Sequence, residues 1–96
     1  MYAAVRRYEG INEDDEAARL VRDSFMPQLE KVQGFIAYYW IDAGEGIMAS
    51  LSVFEDKAGA DESVKFAHKW IEETAPHLFP NPPRVTEGYV VASDKK

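Results

Sequence analysis

His68 is the residue best suited to moving a proton, because imidazole titrates near neutrality. It falls on the expected core face of a helix, where a histidine also serves as a buried group with one hydrogen bond. His77 lies nine residues further on. On a helix the two rings point about 180° apart, and no third ligand stands near, so no zinc or iron site is expected. Arg6 and Arg7 are neighbours on an expected strand, so one turns to each face. An inward arginine needs an anion, either a carboxylate such as Glu87 or the acid group of a ligand. Tyr8, Tyr38, Tyr39, Trp40 and Tyr89 are more aromatics than a small sheet needs as filling. They suit the lining of an aromatic-binding cavity and equally an interface. Phe66 and Trp70 form a second aromatic stripe on the helix of His68. They either pack on the neighbouring helix or wall a pocket between helices and sheet.

Other chemistries find no support. Ser50, Ser52 and Ser63 have no glycine-flanked elbow and no ordered His-acid partner, so hydrolase chemistry is not indicated. The glycines at 44, 46 and 59 fit neither a phosphate loop nor a dinucleotide fingerprint, and no cofactor is expected. With no cysteine, disulfides, thiolate metal sites and a thiol nucleophile are excluded. The acidic run Glu13-Asp14-Asp15-Glu16 reads as helix initiation, since carboxylates favour the positive end of the helix dipole.

The elements that must position these residues follow in a clear order. Tyr2 to Tyr8 is a first strand ending at Gly10. From Ala17 to Val32 the apolar residues Val21, Phe25, Leu29 and Val32 make one stripe of a helix, with Pro27 expected to kink or break it near Met26. Phe35 to Ile41 is the clearest strand, Asp42 to Gly46 a tight turn, and Ile47 to Phe54 the returning strand. Glu55 to Gly59 reads as a connection and Asp61-Glu62-Ser63 as the start of a second helix running towards Pro76. On that helix Val64, Ala67, His68, Ile71, Ala75 and Leu78 are expected to face the sheet. Pro80-Asn81-Pro82-Pro83 is a rigid link, and Val85 to Ala92 a last strand. This order, βαββαβ, predicts an α+β ferredoxin-like sandwich: a four-stranded antiparallel sheet, first and third strands central, with two helices on one face.

The chain of 96 residues is read as a single domain, 1–96, with 46% hydrophobic residues. Eleven Lys and Arg against seventeen Asp and Glu leave a net charge of -6, which argues against nucleic acid and anionic membrane as partners. No apolar run approaches a membrane span and the N-terminus lacks a signal-peptide core, so a cytoplasmic location is the expectation. In the second strand Phe35, Ala37, Tyr39 and Ile41 alternate with Ile36, Tyr38 and Trp40. In the third, Ile47, Ala49, Leu51 and Val53 alternate with Met48, Ser50, Ser52 and Phe54. Neither face is polar, and two helices cover one face only. A second copy packed sheet to sheet, a homodimer, is therefore expected.

Met1 to Tyr8 in the first strand (Met-Tyr-Ala-Ala-Val-Arg-Arg-Tyr) and Gly34-Phe35 opening the second carry a further signal. So do Ser52-Val53-Phe54-Glu55-Asp56 ending the third and Ala60-Asp61-Glu62-Ser63 leading into the second helix. On these residues and on its element order, the chain resembles the dimeric α/β-barrel superfamily, in its antibiotic biosynthesis monooxygenase-like branch. The resemblance implies a homodimer whose two sheets form a barrel, with a ligand cavity in each subunit between sheet and helices. In some members that cavity oxidises polycyclic phenols with dioxygen and without metal or flavin. Carried over, it implies a hydrophobic or aromatic, quinone-like ligand. Arg6 would hold an anionic oxygen, His68 would move a proton, and Tyr39, Trp40, Phe66 and Trp70 would shape the wall. A non-catalytic small-molecule-binding or structural dimer would look the same. Haem-degrading relatives carry an Asn on the first strand with a Trp and a His on the second helix. Here Arg6 and Arg7 replace the Asn, and Trp70 and His77 stand at another spacing.

Overall fold

A computed structural model describes residues 1–96. β1 (Tyr2–Tyr8) and β3 (Ile47–Phe54), the two strands with the cleanest alternation, pair antiparallel from Tyr2 opposite Phe54 to Tyr8 opposite Met48. β2 (Phe35–Gly44) flanks β3 and β4 (Arg84–Tyr89) flanks β1, giving the order β2-β3-β1-β4 with every neighbour antiparallel. Two helical stretches cover one face, so the architecture is the α+β ferredoxin-like sandwich. No helix is long and apolar enough to cross a membrane.

The first helix starts at Asp14 and is continuous to Leu29, not broken at Pro27. Asp14, Asp15 and Glu16 occupy its first turn, where their charges complement the dipole. Between Asp14–Leu20 and Met26–Leu29 lies a wide π-helical turn, Val21–Phe25, closed by Met26 N–H donating to the Val21 carbonyl. Proline cannot donate to the turn behind it, and its ring crowds the carbonyl there. Widening that turn accommodates Pro27 without a break, and Gln28 Nε2 donates to the Ser24 carbonyl at 2.9 Å. Ala17, Val21, Phe25 and Leu29 form the buried stripe.

The second helix, Lys57–Thr74, begins one turn earlier than the sequence suggests, because Asp56 caps it by accepting from Gly59 N–H at 3.1 Å. Its face is also turned from the expected one. Gly59, Ala60, Ser63, Ala67 and Trp70 are buried, whereas Val64 and His68 face out. Small residues let the helix backbone lie close. A Cβ on Gly59 would come within 2.7 Å of the Gln33 carbonyl and 3.0 Å of the Phe54 ring.

Two departures in the strands matter for the site. A bulge inserts Ile36 between Phe35 and Ala37, which puts Phe35 on the same face as Tyr38 and Trp40 instead of with Ala37, Tyr39 and Ile41. β4 ends at Tyr89, short of Ala92, and beyond it Val90 N–H reaches the Met1 carbonyl while Val91 is fully in solvent. The helix-side face thus carries Tyr2, Ala4, Arg6, Tyr8, Met48, Ser50, Ser52 and Phe54, all buried. The other face presents Val5, Tyr39 and Ile41, all exposed, among Leu51, Val53 and Ala49.

Candidate functional site

Between sheet and helices lies a cage of aromatic rings. Arg6 and Tyr8 reach it from β1, Tyr38 and Trp40 from β2, Val21 and Phe25 from the first helix, and Ala67, Trp70 and Ile71 from the second. Phe79, on the segment leading to β4, closes it. The rings contact one another directly: Phe25 with Tyr38 at 5.5 Å and with Trp70 at 5.2 Å, Tyr8 with Trp40 at 5.6 Å. The open space at the centre is about 10 Å³, enough for about one water.

Local sequence explains each placement. Alternation in β1 sends Arg6 inward between Ala4 and Tyr8 and leaves Arg7 outside, near Glu9 at 3.8 Å. The π-helical turn carries Ser24 and Phe25 together, so that Phe25 enters the cage while Ser24 Oγ accepts from Trp70 Nε1 at 3.0 Å. Trp70 is therefore both packed and hydrogen-bonded.

Arg6 and Trp40 are not. Arg6 is 5% exposed, its Nη2 is buried, and no acceptor lies within hydrogen-bond distance of that atom. Glu87 accepts from the Tyr2 hydroxyl at 2.9 Å and makes no ion pair with Arg6. Trp40 Nε1 is likewise buried without an acceptor. A guanidinium carries its charge at all working pH values, and burying one without a counter-ion costs on the order of several kcal/mol even after relaxation. Burial raises the Tyr8 and Tyr38 hydroxyls above the ordinary tyrosine value, so both stay protonated. The wall thus offers N–H and O–H groups, with one positive charge and no carboxylate or imidazole.

The structure brings Arg6, Trp40 and Trp70 to one cavity. Phe66 stands one layer behind, stacked on Phe25 at 5.2 Å with the planes 11° apart. Tyr39 is not in the cage: it lies on the opposite face, 57% exposed, because neighbours on a strand point apart and Tyr38 and Trp40 hold the inner side. His68 is also outside. Its side chain is 77% exposed and lies 2.9 Å from Glu72, and it does not line the cage. His77 is exposed in the turn after the helix, and no three His, Asp or Glu side chains come together as a metal site. Sequence reasoning gave no role to Phe25 or Phe79; the four-residue spacing of Val21, Phe25 and Leu29 already marked Phe25 as inward, whereas nothing in the proline-rich link marked Phe79.

No family model and no curated protein matches this sequence. Among solved structures, a protein of unknown function from Nitrosomonas europaea is 20% identical, with a TM-score of 0.78 over 99% of this chain and 93% of that one. A monooxygenase from the gene ActVA-Orf6 of Streptomyces coelicolor, solved with the ligand nanaomycin D, is 13% identical, with a TM-score of 0.76 over 99% of this chain and 91% of that one. A dimeric ferredoxin-like protein from an uncultured marine organism is 12% identical, with a TM-score of 0.69 over 99% and 97%. The chain shares their fold, and the resemblance to antibiotic biosynthesis monooxygenase-like proteins holds at that level.

Proposed function

We propose that the cage binds a flat aromatic compound through an acidic ring oxygen, and that the bound anion is oxygenated by dioxygen without a cofactor. The observation that carries this reading is the buried Nη2 of Arg6, which has no hydrogen-bond partner, together with the unpartnered indole N–H of Trp40. An anionic oxygen there would satisfy both and would shift the phenol or hydroquinone towards its deprotonated form. An electron-rich anion of this kind can pass an electron to dioxygen. For an anthrone, the methylene then becomes a carbonyl with one oxygen atom and the other leaves as water. The rings exclude bulk water and hold the plane of the substrate. The fold shared with the Streptomyces monooxygenase supports the reaction class.

The test is oxygen uptake with a panel of hydroquinones and anthrones. Turnover by the wild type that is lost in Arg6→Met is expected; no uptake and no thermal stabilisation by any member of the panel would sink the reading. A second reading, binding without turnover, is favoured by the lack of any carboxylate or imidazole on the cage wall. Its signature is a raised melting temperature without consumption of ligand.

We further propose that the outer face is covered by a second copy of the chain. Val5, Tyr39 and Ile41 are 44%, 57% and 48% exposed, and they adjoin Leu51 and Val53 in one apolar surface. Such a patch is seldom left in water. Native mass spectrometry showing two chains is the expected result. The lack of cysteine suits a reducing cytoplasm.

A further inference from the structure

We infer that the cage and a shallow groove outside it are two halves of one binding site, divided by the ring of Phe79. Its occupant would be an aromatic ring with an acidic oxygen, extended by an apolar arm that ends in an uncharged hydrogen-bonding group. The inference rests on the reading of the cage given above.

The groove has a volume of about 160 Å³ and lies under Pro80, Asn81, Pro82 and Pro83, against His68 and Glu72. Tyr8, Ile71 and Phe79 line both it and the cage, so a single layer of side chains separates the two spaces. A cavity of about 150 Å³ is needed to hold a benzene-sized ring, and the cage has about 10 Å³. Something in the wall must therefore leave when a ligand binds. Every other lining residue stands on a strand or a helix; Phe79 alone stands on irregular backbone. Its ring touches Tyr8 at 5.3 Å, Trp40 at 5.9 Å and Trp70 at 6.4 Å, so its departure opens a ring-sized space next to all three.

The segment that carries Phe79 has few backbone hydrogen bonds and is held chiefly by the burial of Leu78 and Phe79. Four of the eight residues from 76 to 83 are proline and have no N–H. The segment donates one backbone hydrogen bond, Leu78 N–H to the Ala75 carbonyl at 3.2 Å, and is tied at its far end by Asn81 Nδ2 to the Glu9 carbonyl at 3.1 Å. Movement of Phe79 between those ties is the step the inference requires, with Leu78 kept in the core. A ligand ring in the vacated place has its oxygen towards Arg6 and its opposite edge towards the groove. There prolines offer apolar contact, and His68, Glu72 and Asn81 offer hydrogen bonds. His68 Nε2 and Glu72 Oε1 already lie 2.9 Å apart, and the groove holds no free cation for an ionised end group, so an uncharged hydrogen-bonding group fits it.

Trp40 and Trp70 are the two tryptophans of the chain and both line the cage, so acrylamide quenching of their fluorescence reports access directly. Phe79→Ala should raise the quenching constant by about twofold or more, with Phe79→Leu as an intermediate that keeps the fold, checked by circular dichroism. Two probes then test the groove: 2-naphthol, which has no arm to reach it once Phe79 has given way, and 6-(2-hydroxyethoxy)-2-naphthol, which carries one. His68→Phe narrows the groove from outside and should weaken the armed probe by about fivefold or more while leaving 2-naphthol unchanged. Equal quenching in wild type and both Phe79 variants, or equal effects of His68→Phe on the two probes, overturns the inference. If 2-naphthol fails to bind the wild type, the cage reading itself falls, and the quenching result still decides whether Phe79 is the divider.

Discussion

Arg6 and Trp40 stand on either side of Ser50 across three adjacent strands, and each directs a buried N–H with no acceptor into the same cage. A protein that needed only a filled core would place aliphatic side chains at both positions. The pair is a standing cost to stability, and its removal should show as a gain.

Arg6→Met is therefore expected to raise the unfolding free energy by about 1–3 kcal/mol, because an uncompensated buried charge is replaced by apolar volume. The same variant should lose binding of 2-naphthol. Urea denaturation and a binding titration on one preparation check both halves, and a destabilised Arg6→Met would mean that the guanidinium has a partner inside the fold.

Gly59→Ala should lower stability by about 1–3 kcal/mol, although alanine is the better helix former. The added methyl would meet the Gln33 carbonyl at 2.7 Å and the Phe54 ring at 3.0 Å, and neither can move far. A neutral or stabilising result in thermal melts would show that the second helix can lift from the sheet.

Burial pushes the Tyr38 hydroxyl well above the ordinary value of 10.0, and Tyr8 moves in the same direction for the same reason. The folded state holds these protons more tightly than the unfolded chain does. Their contribution is thus fully present below about pH 10 and is lost as the pH climbs through the folded-state values. Tyr38→Phe removes one such group and should shift the alkaline unfolding midpoint upward, measured by circular dichroism between pH 9 and about pH 12.

Asp14 lies against Asp42, whose hydrogen bond and charge raise the Asp14 carboxyl above its ordinary value. A raised carboxyl means the fold favours the protonated form, so the pair costs stability above the carboxylate range and ceases to do so as the pH falls. Asp42→Asn keeps an acceptor for Gly44 N–H, now 2.9 Å from Asp42 Oδ1, and removes the like charge. Its melting temperature should exceed the wild type at pH 7 and match it at pH 3.

Val5→Glu, opposite Leu51 on the outer face, should convert a two-chain species into a monomer in light scattering and make the melting point independent of concentration. A wild-type monomer would leave the apolar face without its proposed cover.

The strands were legible because alternation and β-branched content are local signals. β1 and β3 run between the residues expected, and the inward set Met48, Ser50, Ser52 and Phe54 separates cleanly from Leu51 and Val53. The face of the second helix was legible only in part: Ala67, Ala75 and Leu78 are buried as expected, but hydropathy weights Val64 over Gly59, Ala60 and Ser63. Spaced by three and four, those small residues were the available signal for close approach. The same misjudged rotation carried His68 into an expected core and left Trp70 on a second face. Tyr39 and Trp40 could not both have faced one cavity, since the strand period alone forbids it. Ile36 as an extra residue and Phe79 as a cage wall depend on tertiary contacts, which no local pattern records.

The depth of Arg6 gives electrostatics two opposite roles in one event. The chain as a whole carries -6, and the charge that would hold an anion lies at the bottom of the cage, behind a surface that repels one. An anionic ligand is thus slowed on approach and favoured once inside, so added salt should speed its association where it slows most charge-steered encounters. The cage wall holds no base to take a proton from a neutral phenol, so the ligand ionises in water before it enters, and its acidity there sets how much of it meets this barrier.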